Sequence, residues 1–252
     1  MKQPLTSYGA SVRGPAHKRD GVPNEDAWLR AEGSFGSLIV VCDGMGSRPH
    51  ARLGARAGCV AVREAVKRWT RANEAPLLYL AHLIEILWRL CVHPYLPRDA
   101  ATTCLLALAR KNGEWVVGGI GDGLVAVKTG FTPVSVVVGD RTDGFSNETS
   151  ALGLFPCARA WQINLLPPTK MARLAVIATD GIAEDLVPEK IDGFCQWLVD
   201  NFRDLDPKQR WRQLIAELRA WPTPRHLDDK TIAILTTSGM ALEETVWARS
   251  RM

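Results

Sequence analysis

Paired cysteines are missing from this 252-residue sequence. Its six cysteines, Cys42, Cys59, Cys91, Cys104, Cys157 and Cys195, form no CxxC pair, and no histidine stands at zinc-finger spacing from any of them. A zinc-ribbon fold and a disulfide scaffold are excluded, and free thiols inside apolar runs suit a reducing cytoplasm. A dense basic stripe is also absent. The 31 Lys and Arg nearly balance the 27 Asp and Glu, for a formal charge of +4, so nucleic acid is not an expected partner. No apolar run is long enough to span a bilayer. The most apolar one, Pro76–Val92, carries His82, Glu85 and Arg89 in its interior, each costly in lipid. The opening MKQPLTSYGASV lacks the apolar stretch of a secretory signal. These absences predict a cytoplasmic protein with no membrane segment.

Internal repeats and linkers rich in Pro, Gly or Ser are missing too. With 46% hydrophobic and 23% charged residues, the chain can bury a substantial core. The expectation is one domain over residues 1–252, with a core of about 6–237 and a short tail at 238–252. Strand-like runs lie at Gly36–Cys42, Thr102–Leu108, Trp115–Ile120, Leu124–Lys128, Val134–Val138, Leu174–Ala178 and Thr231–Leu235. Glycines punctuate the middle runs, which therefore read as an antiparallel meander with Gly121-Asp122-Gly123 as one turn. Helical patterns lie at about Leu53–Arg71, Leu77–Val92, Pro188–Phe202 and Pro207–Ala220. Leu80, Leu83, Ile84, Leu87 and Leu90 recur at helical spacing, which predicts a buried stripe. Strands and helices in separate blocks define an α+β class.

Carboxylates at strand ends carry the chemistry. Val40-Val41-Cys42-Asp43-Gly44-Met45-Gly46 and Val176-Ile177-Ala178-Thr179-Asp180-Gly181 share one design: an apolar strand ending in Asp and Gly. Gly121-Asp122-Gly123 closes a third strand. Asp228-Asp229 precedes the strand TIAIL, and Asn24-Glu25-Asp26 precedes the first strong strand. A strand end holds each carboxylate rigidly, and the adjacent Gly allows close approach of a ligand. A lone Asp-Gly is usually only a turn. Several converging carboxylates would repel one another, however, and hard divalent cations take all-oxygen shells of this kind.

In order, these pieces resemble the metal-dependent Ser/Thr protein phosphatases of the 2C type, particularly the bacterial branch. The matching elements are Gly14-x-x-His17…Gly21-x-x-Asn24-x-Asp26-Ala27, Asp43-Gly44-Met45-Gly46, Ala101-Thr102-Thr103, Gly121-Asp122, Phe145-x-Asn147-x-Thr149-x-x-Leu152-Gly153, Ala178-Thr179-Asp180-Gly181-Ile182 and Asp228-Asp229-x-Thr231. The resemblance implies a four-layer α/β/β/α sandwich of two antiparallel sheets flanked by helices. It implies hydrolysis of phosphoserine or phosphothreonine by direct attack of a water bridging two Mn²⁺ or Mg²⁺ ions, with a weaker third ion in bacterial members. Asp43 corresponds to the carboxylate between both ions, Gly44 to a carbonyl ligand, and Asp180 and Asp228 to ligands of the second ion. Asp122 corresponds to the ligand that shares the third ion with Asp180. Glu25 and Asp26 would act through water on the metals, with Asp229 behind them. The implied partners are phosphorylated proteins, a cognate Ser/Thr kinase or its substrates, met by a monomer.

The match departs from the family at two points. Where many relatives carry a phosphate-gripping Arg, this chain has Gly21, so Arg19 or His17 is expected to replace it. Met45 stands where some relatives place a His proposed as general acid, and Met has no proton to give. Two rival readings follow: a phosphoprotein-binding pseudophosphatase of the same fold, and a two-metal hydrolase of small phosphoesters.

Overall fold

The structure is a computed structural model that describes residues 4–72, 75–138, 150–154, 160–222 and 227–237. The proposed tail at 238–252 and the motif residues Phe145, Asn147 and Thr149 lie outside the described residues. In chain order the elements are β1 (Leu5–Val12), α1 (Pro15–Asp20), β2 (Asp26–Gly33), β3 (Gly36–Asp43), α2 (Ala51–Trp69), α3 (Leu77–Val92), β4 (Cys104–Arg110), β5 (Trp115–Ile120), β6 (Leu124–Thr129), β7 (Ser135–Val138), β8 (Gln162–Leu166), β9 (Arg173–Ala178), α4 (Asp180–Ala183), α5 (Ile191–Phe202), α6 (Pro207–Ala220) and β10 (Lys230–Thr237).

The strands form two five-stranded sheets, ordered β1-β10-β9-β6-β7 and β2-β3-β4-β5-β8, and every pairing is antiparallel. Strand alternation sorts the side chains into three cores. On β3, Leu38, Val40 and Cys42 face α2 and α3, while Ile39 and Val41 face the other sheet. On β9, Leu174, Val176 and Ala178 pack with α5 and α6, while Ala175 and Ile177 turn inward. Both faces of the central strands are therefore buried, which is why they read as continuous apolar runs. The result is the expected four-layer α/β/β/α sandwich.

The meander does not hold. β5 pairs with β4 and β8, whereas β6 pairs with β7 and β9 in the opposite sheet. Gly121-Asp122-Gly123 is thus a crossing between sheets and not a hairpin tip. Gly121 takes φ 116, open to glycine, and a Cβ there would lie 2.5 Å from Thr103 Cβ. Sequence patterns also miss β1 and β2, whose residues are mixed and polar, and β8, an edge strand that is mostly exposed. A second correction concerns α3. Leu80 and Ile84 are buried and Leu83 and Leu87 pack partly, but Leu90 is 68% exposed.

Candidate metal centre

Register places the acidic residues at one end of the sandwich. Asp26, opening β2, is the cross-strand partner of Asp43, closing β3. Asp180 follows β9, and Asp228 and Asp229 precede β10, the strand paired with β9. Ile120 at the end of β5 pairs with Cys104 at the start of β4, so Asp122 emerges at this same end. Asp122 itself is solvent-exposed.

Asp43 is held by its backbone. Thr103 Oγ1 accepts from the Asp43 N–H at 3.0 Å, the Thr103 N–H donates to Asp43 O at 2.8 Å, and Thr102 Oγ1 donates to the same carbonyl at 2.7 Å. This gives the Ala101-Thr102-Thr103 motif its physical role: it locks the strand end and leaves the Asp43 side chain free to face the cluster. Asp43 and Asp180 carboxyl groups lie within hydrogen-bonding reach. Burial first, then Asp26, Asp180 and Asp228, push the Asp43 carboxyl well above the usual range.

Asp26 is buried and ties the two sheets together. Its Oδ2 accepts from Thr179 Oγ1 at 3.0 Å, and the Thr231 N–H donates to that same hydroxyl at 3.1 Å. Asn24 Oδ1 accepts from the Asp26 N–H at 2.9 Å. Asn24 Nδ2 in turn donates to Ser11 Oγ, which also accepts from Thr231 Oγ1 at 2.6 Å. Burial raises the Asp26 carboxyl well above its ordinary value, opposed by its hydroxyl donors and reinforced by Asp229 and Asp180. Ser11, Thr179 and Thr231 were not singled out from sequence as supports, although all three fall within or beside the matched motifs.

Asp229 acts as a clamp. Its buried carboxylate accepts from the Gly14 N–H (2.7 Å, Oδ1), the Glu25 N–H (2.7 Å, Oδ2) and His17 Nδ1 (2.9 Å, Oδ2). His17, Asp228 and Asp229 can offer atoms within 4.8 Å of one another. With both Asp229 oxygens already used by main-chain donors, that trio is a hydrogen-bonded brace and not a metal cage. His17 Nε2 stands 3.9 Å from Glu25 Oε2, and His17 Nδ1 is 3.8 Å from Asp228 Oδ1.

Arg19 lies apart from these carboxylates. It belongs to α1, where its guanidinium forks onto the neighbouring Asp20 at 2.7 and 2.9 Å in an exposed pair. The glycine at position 21 has a local role. Gly21 ends α1 in the left-handed conformation at φ 71, where a branched or long side chain is strained.

Lys230 was missed by sequence reasoning. Its side chain is buried, Nζ donates to Asp228 O at 3.1 Å, and Asp185, Asp228, Asp229 and Asp26 all act on its charge. The signal was available in Asp228-Asp229-Lys230: a cation opening an apolar strand directly behind two carboxylates.

The donor set suits hard divalent ions. Asp43, Asp180 and Asp228 supply carboxylate oxygens without a thiolate or imidazole among them. Glu25 Oε2 is shut off from solvent and accepts no hydrogen bond from the described residues. Gly44 completes a tight cradle, since a Cβ there would stand 2.4 Å from Ala51 O and 2.9 Å from Glu25 O. A crowded acidic cluster whose carboxyls are driven toward protonation is one that cations would relieve.

The fold is a two-sheet sandwich with carboxylates converging from both sheets at one end. Residues 13–221 match the family described as protein phosphatase 2C, and the chain belongs to that family, the metal-dependent Ser/Thr protein phosphatases. No curated protein matches the sequence. Among solved structures, the catalytic domain of the serine/threonine protein phosphatase PstP in complex with two manganese ions is 16% identical, with 92% of this chain and 98% of that one covered at a TM-score of 0.59. The serine/threonine phosphatase Stp1 from Staphylococcus aureus is 14% identical over 95% of this chain and 96% of its own, at 0.63. RsbX in complex with magnesium is 12% identical over 93% and 96%, at 0.57.

Proposed function

We propose that this protein removes phosphate from phosphoserine or phosphothreonine in proteins, using divalent ions held by Asp43, Asp180 and Asp228, with the Gly44 carbonyl as a further ligand. The observation that carries this reading is the convergence of Asp26 and Asp43 from one sheet with Asp180 and Asp228 from the other, within a family match of residues 13–221. When bound, two Mn²⁺ or Mg²⁺ ions acidify water and neutralise charge on the phosphoryl group. The chain's own contribution is positional. Thr102 and Thr103 fix Asp43, Thr179 fixes Asp26, and Asp229 fixes Glu25 and His17. Glu25 and Asp26 would act on the ions through water, and Asp122 with Asp180 would hold a third, weaker ion. We assign the phosphate contact to His17 in preference to Arg19, because His17 shares the carboxylate cluster while Arg19 is spent on Asp20. With Nδ1 donating to Asp229, the ring donates from Nε2 to a phosphate oxygen in its imidazolium form.

Phosphorylated signalling proteins in the cytoplasm, including a cognate kinase or its substrates, are the partners this reading implies. Among the described residues no helix is long and apolar enough to cross a membrane. Comparing kcat/KM for a phosphothreonine peptide and a nucleoside monophosphate in Mn²⁺ tests the substrate class. A preference for the peptide is expected, and a preference for the nucleotide would replace this reading.

The carboxyl shifts predict how stabilisation by metal depends on pH. Asp43 and Asp26 have folded pKa values raised above the unfolded ones. In the metal-free protein, their contribution to stability is therefore full below the ordinary Asp range near 3.8 and is lost as pH rises through the raised values. Bound ions displace those protons, so the Tm gain from Mn²⁺ should be small at mildly acidic pH and grow toward neutrality. Thermal melts with Mn²⁺ and with chelator across pH 5–8 would check it. A gain independent of pH would remove Asp43 and Asp26 from the ion site.

Asp122 gives a narrower prediction. Removing an exposed side chain should leave stability within about 0.5 kcal/mol. As a ligand of a third ion, Asp122→Ala should lower kcat and shift the Mn²⁺ activation curve to higher concentration. Superimposable activation curves with equal plateaus would return it to a simple crossing between sheets.

A further inference from the structure

We propose that the solvent face of α2 holds an acidic segment of the substrate, next to its phosphorylated residue; this rests on the reading of the chain as a protein phosphatase. The near balance of charge over the whole chain conceals a local excess. Residues 51–71 carry Arg52, Arg56, Arg63, Lys67, Arg68 and Arg71 against the single carboxylate of Glu64. That excess is larger than the formal +4 of the entire chain, so the rest of the molecule is close to neutral. A basic stripe not expected from the overall composition is thus present on one helix. Helical periodicity gathers it on one side: Arg52, Arg56, Arg63 and Lys67 fall within about 60° of one another around the axis. Arg52, Arg56 and Arg68 are exposed, while Ala55, Cys59, Val62 and Val66 on the other side enter the core. Glu64 is taken up by Arg63, Lys67 and Arg68 at 3.2, 2.8 and 3.3 Å. Arg52 and Arg56 make no ion pair with any described residue. They also stand in the first two turns of α2, where there is no acidic residue in the first turn and the helix macrodipole opposes cations. A sequence that served only the helix would place Asp or Glu there, and such a departure points to a ligand.

Packing joins the stripe to the metal centre. A Cβ on Gly44 would stand 2.4 Å from Ala51 O, and one on Gly58 would stand 2.7 Å from Cys42 Sγ, so α2 starts beside the Asp43 strand end. Its far end reaches the opposite edge of the sheet, where Arg110, the cross-strand partner of Gly36, lies 4.8 Å over the Trp69 ring. From Arg52 to Lys67 the stripe runs about 22 Å away from the carboxylates, the length of about seven extended residues. A polypeptide with its phosphoryl group at the ions can lay neighbouring Asp and Glu side chains along it. Charge complementarity sets the sign of the partner, and the make-up of the stripe favours protein over nucleic acid. It carries no aromatic side chain on which a base would stack. Val60, 38% exposed, and Glu64 interrupt its cations, which suits a segment of mixed acidic and apolar residues.

Two phosphothreonine peptides test the proposal, one flanked on both sides by Glu-rich segments of about seven residues and one with Gln in their place, alongside a small aryl phosphate. The wild type should favour the Glu peptide by about tenfold in kcat/KM at low salt, and the preference should fade at about 0.5 M salt, as exposed charges are screened. Arg52→Glu combined with Arg56→Glu should abolish the preference and leave turnover of the aryl phosphate unchanged. Acidic residues suit the start of a helix, so the Tm of this double variant should not fall. Fluorescence anisotropy of a labelled, unphosphorylated Glu-rich peptide reads the same face without turnover. It should bind the wild type at least about tenfold more tightly than the double variant. Binding of this kind in a protein that hydrolyses neither peptide would sink the phosphatase reading and leave the acidic docking face standing. Equal kcat/KM for the Glu and Gln peptides would overturn the proposal, as would a preference that survives in the double variant. Tighter binding of a single-stranded oligonucleotide of equal charge would assign the stripe to nucleic acid and equally overturn it.

Discussion

Asp43→Asn should lose at least about 10³-fold in kcat/KM, or roughly 4 kcal/mol of transition-state stabilisation at 1.36 kcal/mol per decade. The substitution keeps the shape of the side chain and removes one charge. That charge sits where burial, Asp26, Asp180 and Asp228 all oppose it. Metal-free Asp43→Asn should therefore be as stable as the wild type or more so, because the self-repulsion of the cluster falls. The backbone bonds from Thr102 and Thr103 do not involve the side chain and should persist. Loss of activity in a protein of equal or greater stability separates a chemical role from a folding one. Rates from a phosphothreonine peptide and urea unfolding in chelator supply the two readouts. A near-normal rate in folded Asp43→Asn would displace the centre from this strand end.

Asp229→Ala should have the opposite profile, with stability affected first. Its carboxylate is the shared acceptor of the Gly14 and Glu25 N–H groups and of His17 Nδ1. Removal leaves main-chain donors unpaired in a buried setting, at about 1–3 kcal/mol each. The total expected for the two donors is roughly 2–6 kcal/mol, read as a lowered urea midpoint at unchanged m-value. The segment from Gly14 to Glu25 would also loosen, and His17 and Glu25 with it, so kcat should fall even where the protein remains folded. Asp229→Asn separates the two effects, because it retains one acceptor oxygen but presents donors to groups that are themselves donors. An unchanged midpoint in Asp229→Ala would show that the clamp is not holding the loop.

The legibility of this protein in its sequence followed burial. The central strands β3, β4, β5, β9 and β10 are apolar on both faces because each lies between a helix layer and a second sheet, and such runs are hard to miss. β1 mixes Thr6, Ser7 and Ser11 with Leu5, Tyr8 and Val12, and β8 is exposed at a sheet edge; neither offers a clean period. The sheet change at Gly121-Asp122-Gly123 was hidden because a short glycine turn is compatible with a hairpin as well as a crossing. Strand-end carboxylates were visible as Asp-Gly pairs, yet their convergence depends on which strands pair. The Asp26–Asp43 register supplies that information and local sequence does not. Thr179 escaped for a related reason, since its partners Thr231 and Asp26 lie far away in the chain.

The most direct measurement is phosphate release from a phosphothreonine peptide by the purified protein, in Mn²⁺ and in excess EDTA. Lys230 sits behind the cluster on Asp228 O, so neutralising an anionic phosphoryl group at the carboxylates falls mainly to the ions. Turnover should therefore be present with Mn²⁺, fall to background in EDTA, and return when the ion is restored. Full turnover in EDTA would contradict the assignment of Asp43, Asp180 and Asp228 as a catalytic metal site.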